Sequence, residues 1–311
     1  MPLHQASGKW RLGLCLSLIT ISMWGVEPIA LTITLQAVDI YTLGWFRFLV
    51  CFLLLGIFLA VRQQLPTLQK LRAASVNLFA IAIIFLAINY VLFLKGLSLT
   101  TPSTGEVLIQ LAPIFMGLGA LVIFKERYTY RQWLGLGILT LGFTLFFHEK
   151  VRTLATATNE YLIGSALIVL SAVAWAIYSL AQKQLLQKLS SIQIMLILYG
   201  SCAVIIGFFA NPQSLLTLSP FYWGMLAFCT LNTLLAYGAF AEALEHWEAS
   251  KISAILPLSP LITFSVMGLL SFLGNTWIKP EHITVLGFLG AGLVVSGSIA
   301  IALGEKTEAK L

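Results

Sequence analysis

Four ionisable side chains stand within or at the ends of apolar segments early in this chain: Glu27, Arg47, Lys95 and Glu106. A charge at the centre of a bilayer costs roughly 2.5 to 3.5 kcal/mol on insertion scales, so such residues pair, line water or reach for the headgroups. Two acids and two bases at similar depth can neutralise one another. That combination suits a gate, or a site for the polar head of a substrate. Glu106, Gln110 and Pro113 follow one another at spacings of four and three, which places them on one face of a helix. Polar and proline positions sharing a stripe in an apolar helix need partners or water, so this stripe is expected to face a cavity. The plainer alternatives are a proline that bends the helix for packing, and basic chains that snorkel to the headgroups.

Enzyme signatures are missing. His148-Glu149-Lys150 lacks the second histidine of a zinc helix, and neither a GxxxxGK[ST] loop nor a GxSxG elbow occurs. Cys15, Cys51, Cys202 and Cys229 lie inside apolar runs without ligand spacing and read as small apolar fillers. No catalytic residue, metal or cofactor is therefore expected, and any work done here must draw on a gradient of ions or substrate.

The elements that position these residues are membrane spans. Of the 311 residues, 59% are hydrophobic and 10% charged, and the mean hydropathy is +0.93, which leaves too little polar surface for a soluble globule. The net charge of +6 comes from short clusters between apolar runs. No basic face follows a phosphate backbone, so nucleic acid is not an expected partner. Apolar runs near the ~20 residues that cross a bilayer fall at Trp10 to Leu31, Leu43 to Val61, Val76 to Leu97, Thr104 to Phe124, Trp133 to Phe147, Tyr161 to Leu185, Ile192 to Phe209, Phe221 to Leu244, Ser250 to Leu273 and Ile283 to Leu303. Lys9 and Arg11 precede the first run, which continues past the length of a signal peptide and reads as a span. With a cytoplasmic N-terminus, 13 of the 18 lysines and arginines fall on the inner side, so both termini are expected in the cytoplasm.

The polar connector His148 to Glu160 divides the spans five and five. Across it the sequence resembles itself: Tyr90 and Tyr237, Leu97 and Leu244, Leu111 and Leu258, and Pro113 and Pro260 are each 147 positions apart. Under that offset Glu106, Gln110 and Pro113 meet Ser253, Pro257 and Pro260. Five is odd, so the copies must cross the membrane in opposite senses, the inverted-repeat plan of many carriers. The expected fold is an all-α integral membrane protein of ten transmembrane helices in two inverted five-helix repeats around a central cavity. Its units are residues 1–147, the connector 148–160, residues 161–304 and a cytoplasmic tail, 305–311.

The ordered set of Met23-Trp24-Gly25, Phe46-Arg47-Phe48, Tyr90, Pro113, Lys125 to Arg127 and Leu134-Gly135, with Ala174-Trp175-Ala176 in the second copy, resembles the drug/metabolite transporter superfamily, EamA type. The second copy lacks the charged turn and has Phe272 to Gly274 there. The resemblance implies an inner-membrane carrier, commonly an exporter of amino acids or related metabolites. It also implies that Trp24, Tyr90, Trp175, Tyr178 and Tyr237 lie in spans turned toward the cavity, where their mixed apolar and polar character suits a small metabolite. Asn89 and Asn232 are further cavity candidates. Protons are a candidate coupling partner through Glu27 and Glu106. Trp10, Trp133, Trp223, Trp247 and Trp277 read as the interfacial belt, Glu242 as a solvated helix-end acid, and Gly287/Ala291 with Gly292/Ser296/Ala300 as a close-packing stripe. The competing readings are an integral-membrane enzyme and a non-transporting signalling or assembly protein.

Overall fold

The computed structural model describes residues 6–67, 69, 71, 74–125, 128–146, 148, 158–273 and 284–302. The expected features that lie outside these residues are most of the connector, Glu126 and Arg127 of the charged turn, the loop with Trp277, Lys279 and Glu281, and the tail. Among the described residues all regular structure is helical.

Backbone polar groups have no water to turn to in hydrocarbon, so apolar segments of this length fold as helices that satisfy their own hydrogen bonds. They are α1 (Trp10–Thr34), α2 (Ile40–Val61), α3 (Val76–Ser98), α4 (Pro102–Ile109), α5 (Leu111–Ile123), α6 (Tyr130–Phe146), α7 (Asn159–Leu185), α8 (Ser191–Gly207), α9 (Pro220–His246), α10 (Ala249–Ile255), α11 (Ser259–Phe272) and α12 (Val285–Ala302). Seven helical stretches are long and apolar enough to cross a membrane, counting Thr104–Ile123 and Ala249–Phe272 as one each. The other three apolar runs form the shorter helices α6, α8 and α12.

Short polar caps punctuate the apolar helices. The Asp39 carboxylate accepts from the backbone N–H groups of Tyr41 and Thr42, both at 3.0 Å, and starts α2; Thr158 does the same for α7 through Tyr161 N–H; Ser190 and Gln193 form a capping box on α8. At the end of α2, Gln63 takes a left-handed φ of 53°. There Gln63 N–H donates to Ala60 O at 3.0 Å and Gln64 N–H to Leu59 O at 2.9 Å. This is a Schellman closure, built without the glycine that usually occupies it.

The prolines break two stretches at matching places. Pro113 has no N–H for the carbonyl one turn back, that of Ile109, and α4 ends at Ile109, with Gln110 between it and α5. In the later pair a 3-10 turn, Leu256–Leu258, carries Pro257 and separates α10 from α11, in whose first turn Pro260 sits. Serine and threonine side chains inside helices return their hydroxyls to the carbonyl four residues back, as Ser17 does to Gly13 (2.8 Å) and Thr34 to Ala30 (2.7 Å).

The helices pack in reciprocal pairs. α1 lies along α9 and α3 along α7; α2 pairs with α8, and α6 with α12. The α6–α12 contact is nearly backbone to backbone: a Cβ at Gly142 would stand 2.6 Å from Val294 N, and one at Gly297 would stand 2.6 Å from Leu139 N. The buried face of α12 therefore runs through Gly287, Gly290, Val294, Gly297 and Ile301. This corrects the sequence reading, because Gly292 and Ser296 are exposed. Only Gly287 of the first proposed pair lies on the buried face, since Ala291 is half-buried. Trp247 is corrected too, being buried rather than interfacial, whereas Trp10, Trp133 and Trp223 are exposed.

Candidate functional site

The broken stretch α4–α5, together with α1, α2, α3, α7, α9 and the start of α11, lines a cavity of about 80 Å³, room for a few waters or a small solute at roughly 10 to 15 Å³ per water. Ten of the sixteen residues expected at a site line it: Trp24, Glu27, Arg47, Asn89, Tyr90, Glu106, Gln110, Pro113, Trp175 and Tyr237. They come from seven helices and from the break itself, so the cavity exists only in the folded bundle.

Its polar wall has two parts. In the first, Arg47 donates through Nη2 to Glu27 and through Nε to Thr233 Oγ1 at 2.7 Å, while its guanidinium carbon lies 5.1 Å from the Tyr90 ring centroid. Arg47 is only 1% exposed. A charge so placed needs this saturation by partners, since a buried ion without them is expensive. In the second part Glu106 accepts from the Ser259 hydroxyl and from Gln110 Nε2 at 2.9 Å, and Gln110 Nε2 also reaches Ser259 Oγ at 2.8 Å. The helix break places Gln110 between α4 and α5 and lets its amide point back at Glu106, one turn earlier.

The apolar wall is aromatic. Trp24 meets Trp175 and Tyr237 edge to face, with centroids 5.7 and 5.2 Å apart, and Phe240 backs Trp175 at 5.0 Å. Tyr90 stacks between Phe48 and Tyr237, at 4.2 and 5.7 Å. Such edge contacts hold ring orientation as well as burying area.

Six expected residues lie elsewhere. Lys95 is exposed on α3 and does not line the cavity. The α3 turn that carries it turns Leu94 and Leu97 inward instead, and a long basic chain close to a helix end can reach the headgroups. Tyr178 is buried behind the wall, 6.4 Å from Trp175 and 6.5 Å from Tyr237. Asn232 donates to the Met23 carbonyl at 2.6 Å and joins α9 to α1, while Asn89, at the cavity edge, donates to Ser171 O at 3.0 Å and joins α3 to α7. Ser253 and Pro257 line a separate crevice of about 20 Å³ beside Pro113, and Pro260 is buried in the first turn of α11.

Residues not anticipated complete the site. Ser259 and Thr233 supply the hydroxyls that hold Glu106 and Arg47. Ser259 sits between two prolines, and that Pro-x-Ser-Pro spacing in an apolar run was the available signal. Glu242, expected as a solvated helix-end acid, has a side chain 41% exposed, and it also accepts from Ser191 Oγ and faces His246 Nε2 at 3.2 Å. Among the described residues no group of three or more His, Cys, Asp or Glu side chains is disposed to hold a metal ion.

An all-helical bundle with several membrane-length apolar helices and a charged pocket at its centre defines a class, the multi-pass membrane protein. Within that class the chain belongs to the EamA-like transporter family, whose pattern it matches over residues 11–148 and again over 162–303. It is 35% identical to an uncharacterized inner membrane transporter of Escherichia coli K12, YhbE, over 95% of this chain and 92% of that one. An uncharacterized transporter of Haemophilus influenzae is 34% identical over 95% and 96%. A crystal structure with 15% identity superposes with a TM-score of 0.71 over 96% of this chain and 99% of that one, a likeness of fold. These relatives support a multi-pass inner-membrane protein with a transporter role rather than an enzyme.

Proposed function

We propose that the chain is a secondary-active exporter of amino acids or related small metabolites, working by alternating access between two inverted five-helix units, residues 1–147 and 161–304. The observation that carries this reading is the central cavity, where a saturated Glu27–Arg47 pair, a separate acid at Glu106 and a wall of tryptophan and tyrosine face a space of small-solute size. Reciprocal packing supports the two-unit plan: α1 on α9 and α3 on α7 exchange under one two-fold relation, and α2–α8 and α6–α12 are each their own mates. In that plan the shorter α6, α8 and α12 count as spans and both termini lie in the cytoplasm. Glu27 and Glu106 then sit in the outer half, and the Trp24–Trp175–Tyr237 layer lies on their cytoplasmic side as the closed gate.

Cysteine accessibility tests the mechanism. In a background with the four native cysteines replaced, Ile109→Cys, at the half-buried cavity wall, should react with a membrane-impermeant maleimide from either face of oriented membranes. Reaction from one face only, whatever solute is supplied, would overturn alternating access.

A further inference from the structure

We propose that the cavity takes a substrate bearing a primary ammonium group, which docks on Glu106 and Gln110 in exchange for a proton. The inference rests on the transport reading and names its substrate class and coupling. It begins with a charge inventory. Arg47 is committed to Glu27, Thr233 and the Tyr90 ring. Among the described residues no lysine, arginine or histidine pairs with Glu106, whose partners are the Ser259 hydroxyl and the Gln110 amide. The Glu106 side chain is nevertheless enclosed, the residue being 3% exposed. An isolated ionised carboxylate is costly to bury, so a proton neutralises Glu106 when the cavity is empty and a cation can do so when it is filled.

The Gln110 amide supplies the second observation. Its Nε2 is spent on Glu106 and Ser259, and its Oε1 is buried without a hydrogen-bond partner in a residue that lines the cavity. The orientation of the amide follows from its neighbours, because Glu106 Oε1, which accepts from both Gln110 Nε2 and Ser259 Oγ, stays an acceptor with the proton on Oε2. The residues lining the cavity therefore carry acceptors, the Glu106 carboxyl and an unpaired amide oxygen, together with tryptophan and tyrosine side chains. An ammonium group has three donors and no acceptor and is drawn to aromatic faces. A quaternary cation would satisfy the charge and leave Oε1 unpaired, while a carboxylate or phosphate would meet acceptors and a like charge.

The exchange balances. One R–NH3+ enters, one proton leaves the Glu106 carboxyl, and the charge within the bundle is unchanged. The titratable groups that line the cavity with Glu106 are Glu27 of α1, Arg47 of α2, Tyr90 of α3 and Tyr237 of α9, while Tyr161 of α7 bonds Thr104 on the helix that carries Glu106. α5 and α11 supply none.

Calorimetric titration of the purified full chain with 2-phenylethylamine, 3-phenylpropionate and phenylalanine, repeated in buffers of different ionisation enthalpy, tests this. The expected result is binding of the amine with release of about one proton per molecule bound, affinity that rises with pH, and no binding of the acid. Glu106→Gln should weaken the amine about tenfold or more, as the loss of a charge-assisted contact implies, and should abolish proton release. Gln110→Leu should weaken it while keeping the release. Amine binding without proton release in the wild-type chain overturns the proposal, and that readout needs no variant to fold. Equal affinity in Glu106→Gln also overturns it, as does binding of the acid or zwitterion without the amine, and in that last case the cavity remains a substrate site. Failure of all three solutes to bind overturns the proposal and counts against the cavity as a transport site as well.

Discussion

At the scale of single residues the buried Glu27–Arg47 pair decides most. Each partner makes the other tolerable: Arg47 is 1% exposed at its side chain and Glu27 11%. Glu27→Gln alone strands a guanidinium, and Arg47→Met alone strands a carboxylate, so each should cost about 3 to 5 kcal/mol. The double variant removes both charges and should unfold at a higher temperature than either single one. Thermal denaturation followed by thiol reactivity in detergent measures this, and additive losses in the double variant would mean that the pair is not coupled. The pair was half legible in sequence. Four intramembrane charges announced a neutralised set, but residue type does not say which acid meets which base. The structure joins Glu27 to Arg47, leaves Glu106 with Ser259 and Gln110, and sends Lys95 outward. Thr233 and Ser259 escaped notice because single hydroxyls in apolar helices usually bond their own backbone, as Thr233 also does to Cys229 O at 2.9 Å.

At the scale of elements, hydropathy made the helices legible and the prolines marked where two of them break. Hydropathy cannot give rotation about the helix axis when a helix is apolar all round, and α12 illustrates the point. Small residues recur there on several stripes, and the buried one passes through Gly290 and Gly297 rather than Gly292 and Ser296. Gly297→Leu should therefore force α6 and α12 apart and cost about 1 to 3 kcal/mol or more, the range for overpacking. Gly292→Leu, with nothing within 4 Å of its added Cβ, should leave the melting temperature near that of the wild-type chain. Equal losses from the two would contradict the described register. The Schellman turn at Gln63 went unread for a related reason: without glycine, a left-handed residue leaves no mark in the sequence.

At the scale of the whole molecule, the internal offset of 147 residues suggested two related halves, and the reciprocal helix pairs fit that plan. The halves are chemically unequal. Glu106 corresponds by offset to Ser253, and Gln110 to Pro257, so the acid and amide that face the cavity have no like partners in the second half. Instead, the Glu242–His246–Ser191 cluster lies far along α9, near the His246 end of that helix. The proposed exporter would have to release cargo on one side, and a single-sided acid would provide such an asymmetry.

Solute counterflow in proteoliposomes tests the central claim most directly, because it reports movement through the protein without an imposed ion gradient. Vesicles preloaded with a mixture of small amines and amino acids should transiently accumulate at least one of them in labelled form. Alkylation of Ile109→Cys at the cavity wall should stop that accumulation. If no labelled solute accumulates, or if accumulation continues unchanged after the cavity is alkylated, the cavity is not the transport path.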